Sequence, residues 1–151
     1  MDLSIITATR GRPALLWQCC EHVRRQSCEG VIIEHIVVSD GADEEARRIA
    51  VGSGARYFET AGGATDEGNR GRDVGIREAR RRYVAFWDDD NVYYPHSAAA
   101  QYASVYGVGI GLTAVHHRQL RKVIPDLPFT RPRLGNVDTA CLCVDRTLAR
   151  T

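Results

Sequence analysis

Three consecutive aspartates, Asp88, Asp89 and Asp90, follow the apolar run Tyr83-Val-Ala-Phe-Trp87. Adjacent like charges repel, so a bound cation stabilises such a group. In extended backbone, residues two apart point to the same side. Asp88 and Asp90 can therefore face one metal ion while Asp89 points away. Hard divalent cations take carboxylate oxygens. Mg²⁺ typically uses one or two from the protein and completes its shell with water and substrate phosphate. Mn²⁺ suits the same oxygen-rich octahedral site. The competing interpretation is a solvated acidic turn after a strand.

Two other polar groups end apolar runs in the same way. Thr7-Ala8-Thr9-Arg10 follows Leu3-Ser-Ile-Ile, and Ser39-Asp40-Gly41 follows the run 31–38. Asp40 can alternatively cap a helix starting at Ala42. A stretch with four glycines, residues 61–71, precedes Arg72. If that stretch is a loop and a helix starts near Arg72, a guanidinium and helix-terminal N–H groups become available to a diphosphate. Arg72 as a plain surface residue is the alternative. Together these residue types point to a nucleotide diphosphate with a divalent cation.

These groups meet only if the intervening elements bring them together. Strands are expected over 3–8, 31–38, 55–59, 83–87, 106–115 and 137–144. Helices are expected from Pro13 to about residue 26, over 42–51, from about 72 to 82, and from Pro95 to about 105, with another starting at Asp145. Pro13 suits a first helical position. Leu15, Leu16, Cys19, Cys20 and Val23 mark one helical face. Gly107, Gly109 and Gly111 suggest a strand that another backbone or a ligand approaches closely. Residues 116–135, with Pro125, Pro128 and Pro132, are expected to be irregular. Strands alternating with helices imply right-handed βαβ units. The fold class is α/β, a mainly parallel sheet flanked by helices, and all three polar strand ends then share one edge.

The chain has 151 residues and a net charge of +1. This suits a single domain spanning 1–151, and it lacks the basic excess of a general nucleic-acid binder. No secretory signal or membrane span is visible. The five cysteines, 19, 20, 28, 141 and 143, match no zinc or redox spacing. Reduced core cysteines and a cytoplasmic location are expected.

The pieces Ser4-Ile-Ile-Thr-Ala-Thr-Arg10, Val37-Val-Ser-Asp-Gly-Ala-Asp43, Gly71-Arg-Asp-Val-Gly-Ile76 and Tyr83-Val-Ala-Phe-Trp-Asp-Asp-Asp90 occur in this order. They resemble the N-terminal part of a family 2 glycosyltransferase with the Rossmann-like GT-A fold. The resemblance covers about residues 3–147. It implies inverting transfer from a UDP- or GDP-sugar to an acceptor hydroxyl on a saccharide, lipid or protein, with Mn²⁺ or Mg²⁺. Thr7, Ala8 and Thr9 would border the nucleotide. Asp40 would accept from a base imide, and Arg72 would reach the base or diphosphate. Asp88 and Asp90 match the family's Asp-x-Asp carboxylates: Asp90 as direct metal ligand, Asp88 toward ribose or water in the metal's shell.

The sequence also departs from that pattern. Asp73 stands where asparagine is usual, adding negative charge near the diphosphate. The chain ends before the position of the family's usual general base, so the resemblance assigns none. Asp138 and Asp145 are candidates by proximity, and His116 and His117 are candidates for base or metal ligand. A homodimer is a plausible way to complete the acceptor side. A catalytically incomplete nucleotide-sugar-binding module is the second reading. A nucleotidyltransferase ranks lower, because Thr9-Arg-Gly-Arg12 is a poor version of a phosphate loop.

Overall fold

The computed structural model describes residues 2–27, 29–63, 65–117, 121–125 and 137–149, without the side chains of His116 and His117. Strand β1 (Asp2–Thr9) leads into helix α1 (Pro13–Arg24), then β2 (Ile32–Ser39), α2 (Glu44–Gly52), β3 (Arg56–Glu59), α3 (Asn69–Glu78) and β4 (Tyr83–Phe86). Helix α4 (Ser97–Val105) follows, then β5 (Ile110–Leu112), β6 (Val115–His117) and β7 (Lys122–Ile124). A 3-10 turn (Thr139–Cys141), β8 (Leu142–Asp145) and α5 (Arg146–Ala149) close the chain.

Among the described residues six strands form one sheet in the order β3-β2-β1-β4-β8-β5. Pairs β1–β2, β1–β4 and β2–β3 are parallel, whereas β8 runs antiparallel to β4 and β5. The chain winds outward from β1 to β3 and then returns to place β4 on the other side of β1. The order reverses between β1 and β4, which opens a crevice at their carboxyl ends.

Both faces of the sheet are covered, so the central strands are apolar on both sides. Leu3 and Ile5 pack with Cys19 and Val23 of α1 and with Ala98, Tyr102 and Val105 of α4. Ile6 and Val84 point the other way, toward Val74 and Ile76 of α3. Leu16 and Cys20 join α1 to Ala46 and Ala50 of α2. Cys19, Cys20, Cys141 and Cys143 are buried and free, and burial pushes the Cys19 and Cys143 thiols up to about 12. Cys28, Pro128 and Pro132 lie outside the described residues. No helix among the described residues is long and apolar enough to cross a membrane.

Several expected elements change. The strand over 106–115 shortens to β5 at Ile110–Leu112, because Gly107 and Gly109 take positive φ and turn the chain before Ile110, and Val115 already opens β6. Gly111 does meet another backbone: a Cβ there would lie 2.5 Å from the carbonyl carbon of Ser104 in α4. Within 116–135, β6 pairs antiparallel with β7 where irregular chain was expected, and residues 118–120 and 126–135 lie outside the described residues. The strand over 137–144 starts as a 3-10 turn and becomes β8 only at Leu142. Helix α3 begins at Asn69 and ends at Glu78, so Arg80–Arg82 lie beyond it.

Candidate functional site

A cavity of about 790 Å³ opens at the carboxyl ends of β1, β2 and β4. Ala8, Thr9, Asp40, Arg72, Asp88 and Asp90 all line it. Short motifs from distant parts of the chain thus share one space because parallel strands end on one edge.

Asp40 is not a helix cap. Asp43 is the N-cap of α2, its carboxylate accepting from the N–H of Ala46 at 2.9 Å. Asp40 is instead fixed at the cavity wall. The hydroxyl of Thr60 donates to its Oδ1 at 3.0 Å, and Arg10 Nη1 lies 3.4 Å from Oδ2. Its own N–H donates to the carbonyl of Thr9, joining the ends of β1 and β2.

Helix α3 reaches the cavity through a stripe of small residues. A Cβ on Gly71 would lie 3.1 Å from Ala8 Cβ, and one on Gly75 would lie 2.3 Å from Ile6 Cγ2. Gly68, in the left-handed region that glycine favours, abuts Ala8 as well. These glycines let α3 lie directly on β1. Arg72 is thereby set beside the aspartates, and its Nη2 donates to Asp88 Oδ1 at 2.6 Å. Its Nη1 is anchored on the carbonyl of Glu67 at 2.9 Å. The first N–H groups of α3 are already used: Arg70 N–H donates to the Asp66 carboxylate and Asn69 N–H to its carbonyl. The expected helix-terminal anion site is therefore spent on Asp66 at those positions.

The three aspartates separate as expected, but through a turn and not an extended strand: β4 ends at Phe86, Asp89 and Asp90 lie in a turn, and the N–H of Asn91 donates to the carbonyl of Asp88 at 3.3 Å. Asp88 and Asp90 face the cavity, while Asp89 turns inward and is 2% exposed. The Thr9 hydroxyl donates to Asp89 Oδ2 at 2.7 Å, and Arg12 Nη2 lies 2.6 Å from Oδ1 as an ion pair. Burial pushes the Asp89 carboxyl above its ordinary range, and Thr9 and Arg12 offset part of that. Arg12 also reaches Asp90, with Nη1 3.2 Å from Oδ2. Sequence reasoning missed this role for Arg12. The signal was its place one residue before Pro13, at the turn closing β1, which puts its side chain opposite the end of the neighbouring strand.

Trp87 is core, stacked on Tyr93 at 3.8 Å. Its indole N–H donates to Gln101 Oε1 at 2.7 Å, and Gln101 Nε2 donates to the carbonyl of Ala140 at 2.8 Å. Gln101 thus couples the strand bearing the aspartates to the turn that follows Asp138.

Other expected residues fall elsewhere. Thr7 is fully buried, with its hydroxyl 3.1 Å from His35 Nε2 and 3.6 Å from Cys19 Sγ, so its side chain faces α1 and not the cavity. Asp145 is at the opposite edge: β8 is antiparallel to β4, and Asp145 pairs in register with Tyr83, the first residue of β4. There it accepts from Arg82 Nε and the Thr147 hydroxyl. Asp138 precedes β8 and does line the cavity. Its Oδ1 accepts from the N–H of Ala140 at 2.9 Å. Asp73 sits on the exposed side of α3, paired with Arg77 at 2.8 Å, and adds no charge to the cavity lining. The side chains of His116 and His117 lie outside the described residues.

Among the described residues the lining holds three guanidinium groups, Arg10, Arg12 and Arg72, against six carboxylates, Asp40, Asp66, Glu67, Asp88, Asp90 and Asp138. A diphosphate entering such a cavity needs further positive charge. Among the described residues no three His, Cys, Asp or Glu side chains gather to hold a metal ion alone. Two carboxylates on one wall, with the ligand supplying more oxygens, nevertheless fit Mg²⁺ or Mn²⁺.

Solved structures that share this architecture include the following three. S. aureus TarS 1-349 in complex with UDP superposes with a TM-score of 0.74 at 15% identity, covering 99% of this chain and 48% of that one. Glucosyl-3-phosphoglycerate synthase from Mycobacterium tuberculosis with phosphoglyceric acid gives 0.68 at 17%, covering 97% and 57%. The mannosyltransferase PcManGT from Pyrobaculum calidifontis, with GDP-Man and Mn²⁺, gives 0.62 at 15%, covering 78% and 36%. The chain spans about half the length of the TarS fragment it matches. These likenesses establish a GT-A fold. No curated protein matches the chain in sequence. The sequence model described as glycosyl transferase family 2 matches residues 4–108, and the chain belongs to that family.

Proposed function

We propose that residues 1–151 form one donor-binding unit that takes a UDP- or GDP-sugar with a divalent cation and transfers the sugar, with inversion, to an acceptor hydroxyl. The observation that supports this best is the cavity's charge: among the described residues, six carboxylates against three arginines at the switch point of the sheet. A nucleotide diphosphate bound alone would be repelled there, and one bound with a divalent ion would not. Complexes of similar fold are described with UDP and UDP-GlcNAc for TarS, and with GDP-Man and Mn²⁺ for PcManGT.

Within this reading, Asp40 accepts the imide N–H of the base, held for that task by Thr60. Ala8 leaves room for the nucleotide over the end of β1. Arg72, anchored on Glu67, stands where it can meet the diphosphate. Asp90 and Asp88 would hold the cation, which supplies charge neutralisation of the departing diphosphate. The acceptor oxygen forms the new bond to the anomeric carbon from the side opposite the diphosphate. The bond to the diphosphate oxygen breaks with its electron pair, and the hydroxyl proton passes to a carboxylate. Asp138 is the candidate on the β8 side of the cavity.

The second reading is a module that binds the donor without transferring it. It is favoured by the use of Asp138 Oδ1 as a turn cap, which holds that carboxylate to a structural task. Calorimetric titration with UDP and GDP, each with Mn²⁺ and then with EDTA, tests the donor site. Metal-dependent binding of one nucleotide is expected. No binding of either at millimolar concentration by folded protein would overturn the assignment. Sugar release, followed in parallel samples given a UDP- or GDP-sugar and Mn²⁺, separates transfer or hydrolysis from binding alone.

A further inference from the structure

The three aspartates do not wait for a metal ion to be neutralised. Arg12 and Arg72 already sit on them, and the two arginines are used differently. Arg72 holds Asp88 and is itself anchored by the carbonyl of Glu67. Arg12 spans the other two: Nη2 is 2.6 Å from the buried Asp89, and Nη1 is 3.2 Å from Asp90. Asp89 cannot release its partner cheaply, because a buried carboxylate left unpaired is strongly unfavourable. Asp90, 52% exposed, can. A planar guanidinium fork holds both carboxylates at once, which a lysine could not do in the same geometry.

We propose that Arg12 is a built-in counter-ion that competes with the divalent cation for Asp90. Metal entry then requires one arm of the fork to leave Asp90 while the other stays on Asp89. Arg12 thereby sets how tightly the site takes metal before any nucleotide arrives. A diphosphate that accompanies the ion offers the displaced arm an alternative partner, so metal and nucleotide bind better together than apart. This inference rests on the reading of Asp90 as a metal ligand.

The test is Mn²⁺ binding to the nucleotide-free protein, read as loss of the free-ion electron paramagnetic resonance signal, with circular dichroism confirming each fold. Arg12→Gln is expected to tighten Mn²⁺ binding about tenfold, since a divalent ion feels twice the effect of one removed charge at a half-exposed carboxylate. Asp89→Asn and the double variant Arg12→Gln/Asp89→Asn cover the case in which a lone buried Asp89 prevents folding. These two differ only at Arg12, and the double variant is expected to bind Mn²⁺ about fivefold more tightly. Equal or weaker binding without Arg12, in either comparison, overturns the proposal. Asp90→Asn added to each background should abolish the gain. If Asp90→Asn leaves Mn²⁺ binding unchanged in every background, Asp90 is not a ligand, and both the metal assignment and this proposal fall. Loss of the gain with no UDP or GDP binding would instead leave Arg12 competing at a metal site that is not a donor site.

Discussion

Replacing Gly75 by alanine tests how α3 is held against β1. In an exposed helix interior this change stabilises by about 1 kcal/mol, because alanine loses less backbone entropy. Here the new Cβ would lie 2.3 Å from Ile6 Cγ2, a stiff β-branched side chain that is itself only 1% exposed. Comfortable carbon contact is about 3.7 Å, so the helix must lift by about 1.4 Å or Ile6 must leave its rotamer. Overpacking of this kind costs about 3 kcal/mol at the upper end of its usual range. The net expectation is a destabilisation of about 2 kcal/mol, or a fall in Tm of about 4–8 °C for a chain this size. Thermal and urea unfolding measure it. A Cβ on Gly52, the last residue of α2, would meet no atom within 4 Å, and Gly52→Ala should be neutral or stabilising. The same lift moves Arg72 away from Asp88, whose 2.6 Å ion pair depends on where α3 lies. Nucleotide affinity should therefore fall with stability. A Gly75→Ala protein as stable as the parent, or more stable, would refute the close packing of α3 on β1 and the placement of Arg72 derived from it.

Two further changes probe the scaffold beneath the cavity. Burial lowers the His35 imidazole to about 4 from its ordinary 6.5. Above pH 6.5 it is neutral folded and unfolded, so it adds no slope; between 6.5 and 4 only the unfolded chain takes the proton, and stability falls as pH falls, by about 3 kcal/mol in all. Urea unfolding from pH 7 to 4 should show this loss in the parent and not in His35→Gln; parallel pH profiles would refute it. Gln101→Leu strands the Trp87 indole N–H and the carbonyl of Ala140, and should cost about 3 kcal/mol in chemical unfolding, because an orphaned buried polar group costs about 1–3 kcal/mol. A loss below about 1 kcal/mol would show that the two groups find other partners.

The elements closest to the site were the most legible. Residues 3–8, 31–38 and 83–87 are short, apolar and β-branched, and each stops at a polar group. That pattern identifies buried parallel strands whose ends share an edge, as β1, β2 and β4 do. The second half was less legible. Gly107, Gly109 and Gly111 lie close together yet do different jobs, two turning the chain and one admitting α4. Nothing local distinguishes them. The direction of β8 was also hidden, since an apolar run pairs equally well either way. That direction alone puts Asp145 at the far edge and Asp138 at the cavity.

The amino-acid sequence by itself determined which residue types were available and that a polar group would end each buried strand. It also carried the order of motifs that marks the family. The turn after Phe86 is what parts Asp88 and Asp90 from Asp89. Only the tertiary structure decided what each charge faces. Arg12 and Asp89 are 77 positions apart, and their pairing depends on β1 lying beside β4. Asp40 became a cavity residue because Asp43 took the cap of α2. Periodicity reports which side of its own element a residue occupies. A side chain's partner is set by what the neighbouring element brings, and that depends on the order and direction of strands across the sheet.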